Sequence, residues 1–288
     1  MSVVSYEMQG DIGIIWIDNP PVNALSQALR EGIYDAVTAA QDDHSKALLL
    51  ICRGRTFIAG ADISEFGKPL TGRDFNQVLE CIEHSAKPII AAIHGTALGG
   101  GLETALACHY RCALPSAMVG LPEVHLGLLP GAGGTQRVPR LIGVEAAIKM
   151  ITSGAPIKAA AALEAKLIDH MVDGDDLLAG ALAYAEQLIA NAAPLLRVRD
   201  ITIDSASFDA AIFDLSRKQL SRQARGQVAP QRIVDCIEAA ATMPFDQGLA
   251  IEQGHFLDCM ASSQSAAMRH IFFAQREANK IKDLPKET

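Results

Sequence analysis

The run Leu98-Gly99-Gly100-Gly101-Leu102-Glu103 places consecutive glycines and a carboxylate between two regular elements. Before it, Ile89-Ile90-Ala91-Ala92-Ile93 reads as a buried strand, and after it Leu102 to Ala107 are helix formers. A chain with this order must turn tightly from a strand into a helix. Glycine there lets backbone approach a ligand closely, because no Cβ intervenes. The free N–H groups of the first helical turn, backed by the helix dipole, stabilise developing negative charge. An acid one short step away completes the needs of chemistry at a carbonyl. An ordinary tight turn with a helix-capping glutamate accounts for this run equally well when it is taken alone.

Two further runs change that balance. Residues 120–135 combine Glu123 with a second glycine-rich turn, Gly131 to Gly134. Phe57-Ile58-Ala59-Gly60-Ala61-Asp62-Ile63 sets another small-residue turn behind the apolar segment Ala47 to Cys52. Turns of tiny residues at strand ends, two of them with a nearby glutamate, predict one site assembled from several loops.

The motifs Ala59-Gly60-Ala61-Asp62-Ile63, Ala97-Leu98-Gly99-Gly100-Gly101-Leu102-Glu103, Pro122-Glu123-Val124 and Pro130-Gly131-Ala132-Gly133-Gly134-Thr135-Gln136-Arg137 resemble the enoyl-CoA hydratase/isomerase (crotonase) family. The resemblance runs from about residue 5 to about residue 190. It implies an α/β fold, a crotonase-type ββα spiral, whereas periodicity alone gives only α/β. It also implies addition of water across the 2,3 double bond of a trans-2-enoyl-CoA, as in fatty-acid β-oxidation. On this pattern the backbone N–H groups of Ala61 and Gly100 form an oxyanion hole for the thioester oxygen. Glu103 and Glu123 together hold the water, one as its base and the other as proton donor, and the Gly131 N–H orients that water. Paired acids push their pKa values apart, so one is ionised while the other keeps its proton. Ala59, Gly60, Asp62 and Ile63 shape the CoA pocket, and Arg55 is a weaker candidate beside the phosphates. Retention of both glutamates favours hydration, with Δ3–Δ2 isomerisation as a secondary activity of the same acids. CoA is part of the substrate, and the resemblance calls for no metal, nicotinamide or flavin.

Composition restricts the other classes. The net charge of −8, with no lysine/arginine run, opposes a nucleic-acid surface. It also means that an anionic CoA thioester must be held by local basic groups and helix ends. The apolar stretches are far shorter than a membrane span. No targeting segment is evident near Met1, and the final Lys286-Glu287-Thr288 is not a peroxisomal address, so the expected location is cytoplasmic. The six cysteines lie mostly in apolar strand or helix patterns and are expected as buried small hydrophobes rather than ligands or disulfides. Competing readings are another crotonase-type reaction such as thioester hydrolysis, which the glutamate pair opposes, and a non-catalytic binding homologue.

Along the chain, strand-like Val3 to Met8 and Ile12 to Asp18 form a hairpin. A helix follows behind the Ser26 cap, with Leu29, Ile33, Ala36, Val37 and Ala40 on one face. Strands at 47–52, 89–94 and 110–114 alternate with helices near 74–84 and after Gly100. Further helices are expected at Val144 to Thr152, Lys158 to Lys166 and Asp175 to Asn191. This gives a core over 1–195 and a C-terminal helical region over 196–288, with helices near 208–224, 231–242, 246–260 and 263–281. The tail from Gln227 to Lys282, with Glu252-Gln253 and Ala274 to Ile281, resembles the segment that joins the halves of multifunctional fatty-acid oxidation proteins. That likeness implies a 3-hydroxyacyl-CoA dehydrogenase module as partner in a longer chain. The tail is expected to bury Ile233, Ile237 and Ala241, then Phe256, Leu257 and Met260, then Ile271, Phe272 and Phe273 against its own core.

Overall fold

Ala47–Cys52 is apolar at every position because both faces of its strand are covered, and this one strand divides the molecule into its two cores. In the computed structural model, which describes residues 2–68 and 71–278, the chain opens with β1 (Val4–Gln9), β2 (Ile12–Ile17), α1 (Gln27–Ala40) and β3 (Ala47–Cys52). A 3-10 turn at Ile63–Glu65 precedes α2 (Phe75–Glu83), β4 (Ile89–Ile93), β5 (Thr96–Leu98), α3 (Gly100–Ala107), β6 (Tyr110–Ala113) and β7 (Met118–Gly120). A second 3-10 turn, Glu123–Leu126, leads to α4 (Gly134–Ile142), α5 (Val144–Ser153), β8 (Ile157–Lys158), α6 (Ala159–Glu164), β9 (His170–Met171) and α7 (Leu177–Ala190). The tail contributes α8 (Ala211–Gln223), α9 (Ala229–Thr242), α10 (Phe245–Ala261) and α11 (Ser263–Ala278).

The larger sheet has the order β1-β2-β3-β4-β6-β9; β1 is antiparallel to β2 and every later pair is parallel. Alternate residues of β3 serve opposite cores. Leu48, Leu50 and Cys52 face α1, α2 and α3, while Ala47, Leu49 and Ile51 pack with Leu177, Ala181, Ala185 and Leu188 of α7. Ser26 caps α1 through the Leu29 N–H, and Leu29, Ile33, Val37 and Ala40 form its buried stripe. Asp74 and Gln77 form a capping box at the start of α2.

A second, smaller sheet, β5-β7-β8, stands beside the first. The chain passes from β4 in the large sheet to β5 in the small one and returns through α3. It then repeats the step from β6 to β7, and this is the ββα spiral. These short strands leave no periodic trace in the sequence, so the alternation of strands and helices was legible and the second sheet was not. The strands expected over 89–94 and 110–114 each end one residue earlier, at Ile93 and Ala113. Cys52, Cys108, Cys112, Cys236 and Cys259 are buried free thiols, and Cys81 is half-buried.

The tail folds onto the core, with α9 against α4 and α5, α10 against α4, and α11 against the turn at Glu123–Leu126. Ile233 and Ile237 are fully buried, as the spacing predicts, while Ala241 is only partly buried. The expectation fails for Leu257, Ile271 and Phe273, which are exposed, while Phe256, Met260 and Phe272 are partly buried. The last two helices contact the body over a narrow front, so only part of each apolar stripe is covered. The tail motif residues Asn279 to Lys282 and the terminal Lys286-Glu287-Thr288 lie outside the described residues. Among the described residues no helix is long and apolar enough to cross a membrane.

Candidate active site

Strand register brings the expected loops together. β5 and β7 run parallel with Leu98 opposite Gly120, so both strands end at the same level and release their following residues side by side. The Gly99 N–H donates to Gly120 O at 2.9 Å and the Leu98 N–H to Ile58 O at 3.1 Å, which brings the segment before Ala61 alongside β5. Leu25 holds that segment from its other edge, through its N–H to Gly60 O at 2.9 Å and an isolated bridge to Ala61. At Gly99, φ is +54° and a Cβ would lie 2.9 Å from Glu123 Oε1, so only glycine allows the turn to pass this close to the carboxyl group.

Two backbone donors meet at this point. A Cβ on Gly100 would sit 3.6 Å from the Ala61 nitrogen, so the two residues are immediate neighbours. Gly100 is the first residue of α3 and its N–H has no partner within the helix. Neither Ala61 nor Gly131 donates its backbone N–H to another described residue.

The carboxyl groups lie against these amides. Glu103, on the first turn of α3, is buried, and its Oε1 accepts from the Ala132 N–H at 2.8 Å and the Gly134 N–H at 2.9 Å. Burial pushes its pKa above the ordinary carboxyl range, against the opposing pull of those two N–H groups and of Arg137. Glu123 begins the 3-10 turn after β7, and its pKa is raised further, by burial and then by the charge of Glu103. Its Oε2 is shut off from solvent and has no hydrogen-bond partner among the described residues. Two interacting acids with raised pKa values can exchange protons as one unit.

Ala59, Gly60, Ala61, Asp62, Ile63, Gly100, Glu103, Glu123 and Gly131 all line one cavity of about 1230 Å³. Asp62 also caps the 3-10 turn by accepting from the Ser64 N–H at 3.0 Å, which occupies it structurally. Arg55 is exposed and does not line the cavity. Among the described residues the arginine and lysine that do are Arg30, paired with Glu65 at 2.8 Å, and exposed Lys68. Separation along the chain hid this: Arg30 reaches the loop from α1.

The tail supplies a wall that site reasoning from sequence missed. Phe256, Leu257 and Met260 of α10 and Phe272 of α11 line the cavity beside Gln253. The Phe256 ring lies against Gly131, where a Cβ would come within 2.6 Å of it. Glu252 is fully buried behind the 131–135 loop. In sequence it stood out only within the tail resemblance, since a charged residue on a helix ordinarily marks a solvated face. Elsewhere, His109 accepts from the Ile89 N–H through Nδ1 at 3.1 Å and serves the strand next to it.

Residues 7–228 match the family described as enoyl-CoA hydratase/isomerase. The chain is 40% identical over 278 residues to the peroxisomal bifunctional enzyme of Danio rerio, covering 96% of this chain and 38% of that protein. It is 37% identical to the fatty acid oxidation complex subunit alpha of Shewanella halifaxensis, covering 93% of this chain and 40% of that one. The chain therefore spans about two-fifths of the length of these curated relatives. Among solved structures, a carnitinyl-CoA dehydratase from Mycobacterium avium superposes with a TM-score of 0.70 at 28% identity, covering 94% of this chain and 97% of that one. With a matching family over most of its length and a spiral core of the same fold, the chain belongs to the enoyl-CoA hydratase/isomerase family.

Proposed function

We propose that this chain hydrates trans-2-enoyl-CoA thioesters to 3-hydroxyacyl-CoA, using Glu103 and Glu123 as a coupled acid pair and the N–H groups of Ala61 and Gly100 as an oxyanion hole. The observation that carries the reading is the unpartnered Oε2 of Glu123, beside Glu103 and close to those amides in a single cavity. Water oxygen bonds to C3 as one carboxylate takes its proton. The π electrons move through C2 onto the thioester oxygen, where the two N–H groups stabilise the enolate charge. Collapse of the enolate places the other acid's proton on C2, so the elements of water are added, and return of a proton from the base to that acid restores both. An oxyanion-hole donor of this kind contributes about 3–4 kcal/mol to the transition state. Burial pushes both carboxyl pKa values up, and the charge of Glu103 pushes Glu123 up further, the direction in which the pair keeps a proton to exchange.

Isomerisation of a 3-enoyl-CoA would need only a carboxylate that carries a proton from C4 to C2, and the same pair supports it as a secondary activity. The length of the relatives supports a longer β-oxidation protein in which a 3-hydroxyacyl-CoA dehydrogenase module takes the product onward. The test is hydration of crotonyl-, octenoyl- and hexadecenoyl-CoA, followed by loss of absorbance of the conjugated thioester. Turnover with at least one chain length is expected. Thioester cleavage without hydration, or CoA binding without turnover, would replace the reading.

A further inference from the structure

The loop Gly131 to Thr135 is a strip of backbone with a carboxyl group on each edge. On one edge, Ala132 and Gly134 donate to Glu103 Oε1 at 2.8 and 2.9 Å. On the other, Gly133 donates to Glu252 Oε1 at 2.6 Å and Thr135 to Glu252 Oε2 at 2.9 Å, with a second bond to Oε2 from the Thr135 hydroxyl. Gln136 Nε2 fixes that hydroxyl at 2.9 Å and holds Cys236 O of α9 at 3.0 Å. Four successive amides are thus shared alternately between an acid of the core and an acid of the tail.

We propose that Glu252 is a positioning residue for the reaction: from the tail it fixes the 131–135 loop, and through that loop the placement of Glu103 and of the Gly131 N–H. The inference rests on the hydratase reading. A carboxyl group with no solvent exposure is an expensive way to pack a helix, since an apolar side chain would fill the space without desolvating a polar group. Its hydrogen bonds go to the loop that holds Glu103, and to nothing else among the described residues. If Glu252 let go, Gly133 and Thr135 would lose their acceptor, and the strip could slide by a fraction of an ångström with Glu103 attached. Near-attack geometry is sensitive on that scale.

Glu252 acts on the pair through charge only where it is ionised. The titratable and charged groups around it are Glu103 on α3, Glu123 on the turn after β7, Arg137 on α4 and Cys236 on α9. Its own pKa is pushed up to about 8 by burial and then by Glu103, and its charge in turn raises Glu123. Below that value Glu252 is mostly uncharged, so its part there is to hold the loop rather than to set the charge of the pair.

The test compares Glu252→Gln with the wild type in steady-state hydration of crotonyl-CoA over a range of pH. Glu252→Gln should lower kcat by about ten- to a hundredfold, because the geometry around Glu103 loosens. KM should change by less than about threefold, since Glu252 does not touch substrate. The acidic limb of the kcat profile should stay where it is, because a carboxyl group with a pKa of about 8 and its amide replacement are both uncharged there. A purely structural role would lower melting temperature and yield while the folded variant kept wild-type kcat, and such a result overturns the proposal, as does a loss carried by KM with kcat unchanged. If Glu252→Gln does not fold, Thr135→Val, which deletes only the hydroxyl donor, should give a smaller loss of kcat with KM kept, and Thr135→Ser should restore kcat. Wild-type protein that hydrates nothing refutes the hydratase reading. Hydration by the wild type with unchanged kcat in the variants refutes this inference alone.

Discussion

The segment from β4 to the turn after β7 and the tail from α9 to α11 both reach the cavity, by different means. The first delivers its groups through sheet register: once Leu98 pairs with Gly120, Gly100, Glu103 and Glu123 have little freedom left. The second delivers its groups through helix packing, with Glu252 fully buried and Leu257 on the same helix exposed. Register fixes position through many backbone hydrogen bonds, whereas a packed helix depends on how much of its apolar stripe finds a partner. Reacting groups belong on the first kind of support, and walls and braces on the second.

The largest effect is expected from removing the second support altogether. Truncation after Ala229 takes away Ile233, Val234 and Ile237, which are completely buried in the main core, and should expose that surface and cause aggregation. Truncation after Ser262, which removes only α11, should leave soluble protein. Light scattering of the two truncations and of the intact chain, expected as a monomer, measures the difference. A soluble, active protein ending at Ala229 would erase the distinction between brace and ornament.

Next in size are the acids on the rigid support. Glu103→Gln and Glu123→Gln keep the side-chain shape and abolish proton exchange, so each should reduce kcat by about two to four orders of magnitude with substrate binding largely intact. Combined, they should be strongly non-additive, because they act on one water. Unaltered turnover in either variant would remove that residue from the mechanism.

Gly100→Val probes the backbone donor without touching a carboxyl group. The new side chain would press on Leu25 Cδ1, 2.8 Å from the Cβ position, and displace the N–H beside Ala61. A loss of about a hundredfold in kcat is expected, in line with loss of one oxyanion-hole donor. A folded variant with full activity would move the hole to another strand end.

The smallest effect is thermodynamic. Glu123 has a folded-state pKa well above its ordinary 4.5, so the unfolded chain ionises first as pH rises. The folded state is favoured most below that ordinary value and loses this advantage until pH passes the raised one. Glu123→Gln has no such loss. It should therefore melt progressively higher than the wild type as pH increases above the ordinary 4.5, the gap closing on acidification. A gap independent of pH would mean that the carboxyl group is not held neutral by its surroundings.

Much of this was legible before the structure. The glycine-rich turns, the paired glutamates and the apolar run of β3 are local facts, because backbone conformation near glycine and burial of a two-faced strand depend on adjacent residues. So does the helical character of the tail. The reach of Arg30 to the cavity, the exposure of Arg55 and the uncovered faces of Leu257, Ile271 and Phe273 were not legible, since each depends on where a distant element ends up. The sequence by itself determined an alternating α/β core and two acids beside its glycine-rich turns, and the spiral entered through the family resemblance. Only the tertiary structure decided that Glu252, 119 residues from Gly133, closes the far edge of the loop that holds Glu103. A buried carboxyl group and a solvated one look the same in sequence, and they differ only in the hydrogen-bond donors that folding brings to them.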